Sequence, residues 1–179
     1  TEEELLRLNS FLEHKNDNFY HSIDTFNPII AEEAFQNNFS VVNDVSGVQD
    51  QRMITTLRKH SAGLILTHRN NYSSSIHEKS DYKDIVRDVK NDLMKQVENI
   101  LESGVNRDQI AIDVGLGFGK TQEQSATLFE SIGQFVGDYP LVVGYSRKKF
   151  TQLLKTSDEE LLNHCQNQGV SLVRLHFID

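Results

Sequence analysis

Short β-branched runs alternate with longer stretches of helical period along the whole chain. HSID (21–24), SVVN (40–43), GLILTH (63–68), IAID (110–113), LVVGYS (141–146) and SLVRLH (171–176) read as strands. Most are apolar up to their last residue, the pattern of parallel strands covered on both faces. The helices between them have readable ends. Asn27 before Pro28 is an N-cap with proline in the first helical position, and Thr121 with Gln124 has capping-box spacing. Ile85, Val89, Leu93 and Val97 recur at i+4 with Ile100 and Leu101 beyond, predicting one long helix that stops at Gly104. This cycle of strand, loop and helix is the signature of an α/β fold. With no low-complexity linker, residues 1–179 read as a single domain.

Polar residues fall where such folds place ligands. Asp24, Asn43, His68, Asp113, the Ser146-Arg147-Lys148 triplet, Arg174 and His176 all lie at or just past the C-terminal end of a predicted strand, so one pocket is expected there. Arg174 and His176 alternate on the last strand and would point to one side. A guanidinium fork and an imidazolium could together hold a phosphate or diphosphate. Each residue also has a plainer reading. Asp113 precedes a glycine turn, Thr25 or Asn27 beside Asp24 can cap a helix, and Asn43-Asp44 can be a strand-end turn. SRKKF (146–150) can be a solvated charge run, and an arginine on a strand can simply pair with a carboxylate. His68, Arg69, Asn70 and Asn71 open a polar loop through Ser75 that either shields a site or only connects two elements.

Composition narrows the function classes. A length of 179 residues suits one sizeable core. The net charge of −8 argues against a nucleic-acid partner, so any anionic ligand must meet a local cluster of cations. No apolar run approaches the roughly 20 residues of a membrane span. The opening TEEELLRLNSFLEH is acidic and helix-periodic, unlike a signal peptide, and the lone Cys165 cannot form an internal disulfide, so a cytoplasmic location is expected. The seven histidines are scattered, no HExxH occurs, and one cysteine cannot build a zinc site, so no protein-held metal is expected. His14, His21, His60, His77 and His164 read as surface or structural. A serine hydrolase lacks its G-x-S-x-G elbow.

IAIDVGLGFGKT (110–121) looks like a nucleotide loop but is not one. Val114 stands where a P-loop needs its first glycine, and Lys120 stands where a dinucleotide fingerprint needs its third.

SIDTFNPIIAEEA, VVNDVSG, IAIDVGLGFGKT, PLVVGYSRKKF and the late VRLH, in this order and spacing, resemble dihydropteroate synthase, a (β/α)₈ TIM-barrel family of the folate pathway. The resemblance implies condensation of 6-hydroxymethyl-7,8-dihydropterin diphosphate with p-aminobenzoate, giving 7,8-dihydropteroate and diphosphate. It implies that Asp24, Asn43, Asp113 and Lys148 bind the pterin, with Asp113 accepting from its amino-pyrimidinone edge. Arg174 and His176 would hold the diphosphate, and Phe118, Ser146 and Lys148 would line the p-aminobenzoate side. The implied catalytic set is Asp24, Lys148, Arg174 and His176, acting as the C–O bond breaks ahead of amine attack. Mg²⁺ would arrive with the diphosphate, and the chain would pair as a homodimer through outer helices. A pterin-binding methyltransferase domain, which passes a methyl group from methyltetrahydrofolate to a corrinoid protein, shares the barrel but needs no diphosphate site. A non-catalytic paralogue or fragment is the third reading.

Departures from the family are local, except at the start. Val114 replaces the proline of D-P-G, Thr67 replaces a methionine before His68, and Phe177 follows His176 where an acid or amide is usual. The stretch between Phe150 and Ser171 is short for the family. TEEELLRLNSFLEH matches the helix after the family's second strand, so the resemblance implies a barrel lacking its first two strands and their loops. Such a remnant would leave two strand edges unpaired. The expectation is therefore a piece of a longer transferase; only a chain complete as it stands would be expected not to catalyse the reaction.

Overall fold

The computed structural model describes residues 1–69 and 82–176. Six strands form one sheet: β1 (Ser22–Asp24), β2 (Val41–Asp44), β3 (Gly63–Thr67), β4 (Ile110–Asp113), β5 (Leu141–Val143) and β6 (Leu172–Val173). They lie in sequence order and every pair is parallel. The helices are α1 (Glu2–Leu12), α2 (Pro28–Gln36), α3 (Arg52–His60), α4 (Ile85–Glu102), α5 (Gln122–Glu130), α6 (Thr151–Leu154) and α7 (Asp158–Asn167). Strand order never reverses, so the topological switch of a doubly wound sheet is absent among the described residues. Crossovers of one hand then put the helices on one side.

That sheet is rolled. Five strand spacings separate β1 from β6, about 24 Å in a flat sheet. Yet Arg174, just past β6, donates from Nη1 to Asp24 Oδ2 of β1 at 2.8 Å. Six consecutive parallel strands joined by helices and rolled in this way make up most of the wall of a (β/α)₈ barrel.

Local signals set the element ends as the sequence predicts. Asn27 accepts from the Ile29 N–H at 3.1 Å with Pro28 beginning α2. Thr121 and Gln124 form a reciprocal capping box at the start of α5. Asp84 caps α4, and Gly104 follows the C-cap Ser103 with φ of +88°.

Register sorts the strand residues into two faces. Val42, Leu64, Leu66, Ile110, Ile112, Leu141 and Val143 point outward and are buried beneath the helices. They meet Ile30 and Ala34 of α2, Met53 and Leu57 of α3, Val89 and Leu93 of α4, and Leu128 of α5 in a single core. The opposite, concave face is open in several places: Ser22 is exposed, Val41, Ile65 and Ala111 are half-buried, and Leu172 is 56% exposed. Coverage on both faces, expected from the apolar runs, is therefore corrected. The helices seal one side only, and β1 and β6 are edge strands among the described residues.

Two strands are shorter than the sequence suggests. The pairing of β5 stops at Val143, where Gly144 leads into a turn closed by the Lys148 N–H donating to the Tyr145 carbonyl at 3.1 Å. With its partner β5 ended, β6 stops at Val173, and one further bond, from the Arg174 N–H to the Val143 carbonyl, completes the ladder. Arg174 and His176 thus lie beyond the strand, not on it. In the short stretch after Phe150 stand only the one-turn α6 and then α7.

Candidate active site

Asp24, Asn43, Thr67 and Asp113 project from the concave face at the C-terminal ends of β1 to β4, because the register pairs Asp24 with Asn43 and Thr67 with Asp113. Asp24 Oδ2 accepts from Asn43 Nδ2 at 3.1 Å as well as from Arg174. Thr67 Oγ1 donates to Asn43 Oδ1 at 3.0 Å. These two bonds orient the buried Asn43 amide, its oxygen toward Thr67 and its nitrogen toward Asp24. Arg174 fits because β5 is followed by Gly144, where a Cβ would stand 3.2 Å from the guanidinium Nε.

Asp113 is buried and its Oδ1 accepts from the Gly115 N–H at 2.8 Å. Burial pushes its carboxyl pKa up, and Lys148, the Gly115 N–H, Arg174 and Lys120 oppose that shift. Lys148 comes from the turn after β5, in which Arg147 adopts φ of +61°. Its Nζ donates to the Leu116 carbonyl at 2.6 Å and lies 5.2 Å from the Phe118 ring centroid. Burial pulls the Lys148 pKa down, against the attraction of Asp113. A cavity of about 480 Å³ opens beside it, lined by Leu116, Phe118, Thr121, Lys148 and Phe150. Ser146 sits half-buried in the same turn but does not line that cavity.

Lys120, Lys148 and Arg174 gather three basic groups around the carboxylates of Asp24 and Asp113 in a chain of net charge −8. The arrangement can accept paired N–H donors at Asp113 and attract an anion toward Arg174. His176 is exposed, and among the described residues no hydrogen bond ties it to this cluster. Among those residues, too, no three His, Cys, Asp or Glu side chains group to hold a metal. No helix among them is long and apolar enough to cross a membrane.

His68 departs from the expected convergence. One residue past Thr67, its ring turns to the opposite face, against α4, with Nε2 3.6 Å from Asp92 Oδ2 and the ring 6.4 Å from that of Tyr82. That separation is too long for a hydrogen bond. Burial lowers the ring's pKa to about 4, so the imidazole is neutral near pH 7. Thr67 takes the concave position instead, a role that counting two residues on from Ile65 would have revealed. Lys120 was also missed, since nothing local marks a lysine as buried. Asn70, Asn71, Ser75 and His77 lie outside the described residues, as does Phe177. His14, His21 and His164 bond to the carbonyls of Ser10, Asn16 and Phe129, and His60 faces Glu32, all structural roles.

Known proteins share this fold. The chain is 30% identical over 131 residues to the dihydropteroate synthase of Bacillus subtilis, covering 72% of this chain and 44% of that protein. It is 34% identical over 131 residues to the dihydropteroate synthase of a Synechocystis species, covering 72% and 45%. The chain thus spans about half the length of the curated relatives it matches. Dihydropteroate synthase from Thermus thermophilus in complex with 6HMPPP superposes with a TM-score of 0.78 at 30% identity, covering 89% of this chain and 67% of that one. The same enzyme in complex with 4-aminobenzoate gives 0.76 at 30% identity, covering 89% and 65%. A sequence model described as "Pterin binding enzyme" matches residues 1–176, and on that match, with the concordant fold, the chain belongs to the pterin binding enzyme family.

Proposed function

We propose that this chain supplies the pterin and diphosphate face of a dihydropteroate synthase, within a single barrel domain. The observation that carries the reading is the meeting of Asp24, Asn43 and Arg174 at one oxygen, beside Asp113 and Lys148. A pterin's amino-pyrimidinone edge presents adjacent N–H donors that suit the Asp113 carboxylate, already fixed through one oxygen by Gly115. Asn43, held by Thr67, completes the polar rim, and Lys148 closes the pocket against Phe118.

In the reaction, the bond from the pterin's methylene carbon to the diphosphate oxygen breaks and the leaving group takes the electron pair. Arg174, with His176 two residues further on, stabilises that growing negative charge. Asp24 stabilises the positive charge left on the pterin. The amine of p-aminobenzoate, held on the Phe118, Ser146 and Lys148 side, forms the new C–N bond and loses a proton. Mg²⁺ would accompany the diphosphate as its counter-ion and neutralise part of its charge. Pairing of two copies through outer helices belongs to the same reading.

Calorimetric titration of 6-hydroxymethyl-7,8-dihydropterin diphosphate into this protein in Mg²⁺, beside an Asp113→Ala variant, tests it. Saturable binding that disappears in the variant supports the pocket and makes p-aminobenzoate turnover the next assay. Absence of heat from folded protein sinks the reading.

A further inference from the structure

Lys120 is an unusual presence at the back of the pocket. It is 7% exposed, and its Nζ donates to the carbonyls of Gly115 at 2.9 Å, Phe118 at 3.0 Å and His68 at 3.5 Å. An ammonium has three N–H donors, so these carbonyls use all of them. Two of the acceptors belong to the turn after β4, and the third belongs to the end of β3. One cation therefore fastens the turn both to itself and to the neighbouring strand.

Gly115 lies at the centre of this arrangement. A Cβ there would stand 2.1 Å from the His68 oxygen and 3.3 Å from Lys120 Nζ, so carbonyl and ammonium occupy the space a side chain would need. Gly115 gives its own carbonyl to Lys120 and its N–H to Asp113 Oδ1. A single residue thus links the ammonium to the carboxylate.

We propose that Lys120 is a positioning residue of the pterin pocket, whose ammonium pins the 113–120 turn onto the end of β3 and so aims the Asp113 carboxylate. The inference rests on the reading of Asp113 as the pterin acceptor. Its chemistry requires the charged form. A neutral amine has only two N–H donors and turns a lone pair toward the third carbonyl.

The groups facing Lys120 come from four elements: Asp113 from β4, Asp92 from α4, Lys148 from the turn after β5, and the neutral His68 from the end of β3. Burial lowers the lysine's pKa to about 7, with Lys148 adding to that effect and Asp113 and Asp92 opposing it. The pin is therefore set below about pH 7 and released as pH rises through that value.

The experiment measures affinity for 6-hydroxymethyl-7,8-dihydropterin diphosphate from about pH 6 to about pH 9 in wild type, Lys120→Met and Lys120→Arg. Comparing variants at each pH cancels the ligand's own titration. Lys120→Met binds at least about tenfold more weakly at the acid end, the scale of a lost charge-assisted hydrogen bond, and converges on wild type at the alkaline end. Lys120→Arg, charged throughout, gains relative to wild type as pH rises. A ratio that stays constant across the range in both variants overturns the proposal, because a packing role has no pH term. Should Lys120→Met fail to fold, the slope of the Lys120→Arg ratio decides alone. Failure of wild type and variants alike to bind pterin counts against the pocket reading instead. In that case, hydrogen exchange of the 115–120 amides, corrected for intrinsic rates, still reads the pin. Exchange in wild type that accelerates through about pH 7 relative to Lys120→Arg supports it, and equal exchange refutes it.

Discussion

Gly115 approaches the His68 carbonyl so closely, at φ of +67°, that the smallest side chain would sit 2.1 Å from the carbonyl oxygen. The obstacle is backbone at the end of β3, which cannot swing aside as a side-chain tip would. The glycine in this turn therefore brings β3 and the loop after β4 together, and the Asp113 carboxylate takes its orientation from that approach.

Gly115→Ala combines a left-handed backbone with a backbone clash and is expected to cost at least about 2 kcal/mol. Gly137→Ala, where a Cβ meets nothing within 4 Å and the backbone is not left-handed, is the unstrained control and changes stability by less than about 1 kcal/mol. Chemical denaturation of the two variants gives the comparison. Equal effects would show that neither the left-handed backbone nor the close approach selects glycine at 115.

Asp24 competes with any anion for Arg174. The pair is partly exposed on both sides, so Asp24→Asn is expected to lower stability by no more than about 1 kcal/mol. The same change frees the guanidinium, and inorganic diphosphate is expected to bind several-fold more tightly in calorimetry while the pterin diphosphate binds more weakly. Unchanged diphosphate affinity would mean that Arg174 does not receive the anion.

His68 makes the fold acid-sensitive. Its pKa falls from the ordinary 6.5 to about 4 on burial. Between those values the unfolded chain binds more protons than the folded one. Stability present above about pH 6.5 is therefore lost as pH falls toward 4, by on the order of 3 kcal/mol. His68→Leu is expected to flatten that slope in denaturant midpoints measured across the window. An unaltered slope would assign the acid sensitivity to other groups.

Much of this architecture was legible along the chain. The β-branched runs, the Asn27-Pro28 start, the Thr121 to Gln124 capping box and the Gly104 stop depend on interactions within a few residues, so sequence alone marks them. Asp24, Asn43, Asp113 and Lys148 could be picked out because parallel strands deliver their last residues to one end of a sheet.

Other features depended on the tertiary structure. A strand persists only as long as its neighbour, so the early end of β5 moved Arg174 and His176 off β6, and no pattern within SLVRLH could show it. The side on which a strand-end residue points turns on a single step, which sent His68 to the helices and Thr67 to the pocket. Whether a lysine is buried depends on the carbonyls that surround it, here from residues 2, 5 and 52 positions away. The sequence by itself determined the elements, their order and the residues at their ends, because short-range sterics and periodicity act on near neighbours. Only the rolled sheet decided which of those residues meet, because the union of Asp24 with Arg174 across 150 residues exists only once the first and last strands curve toward each other.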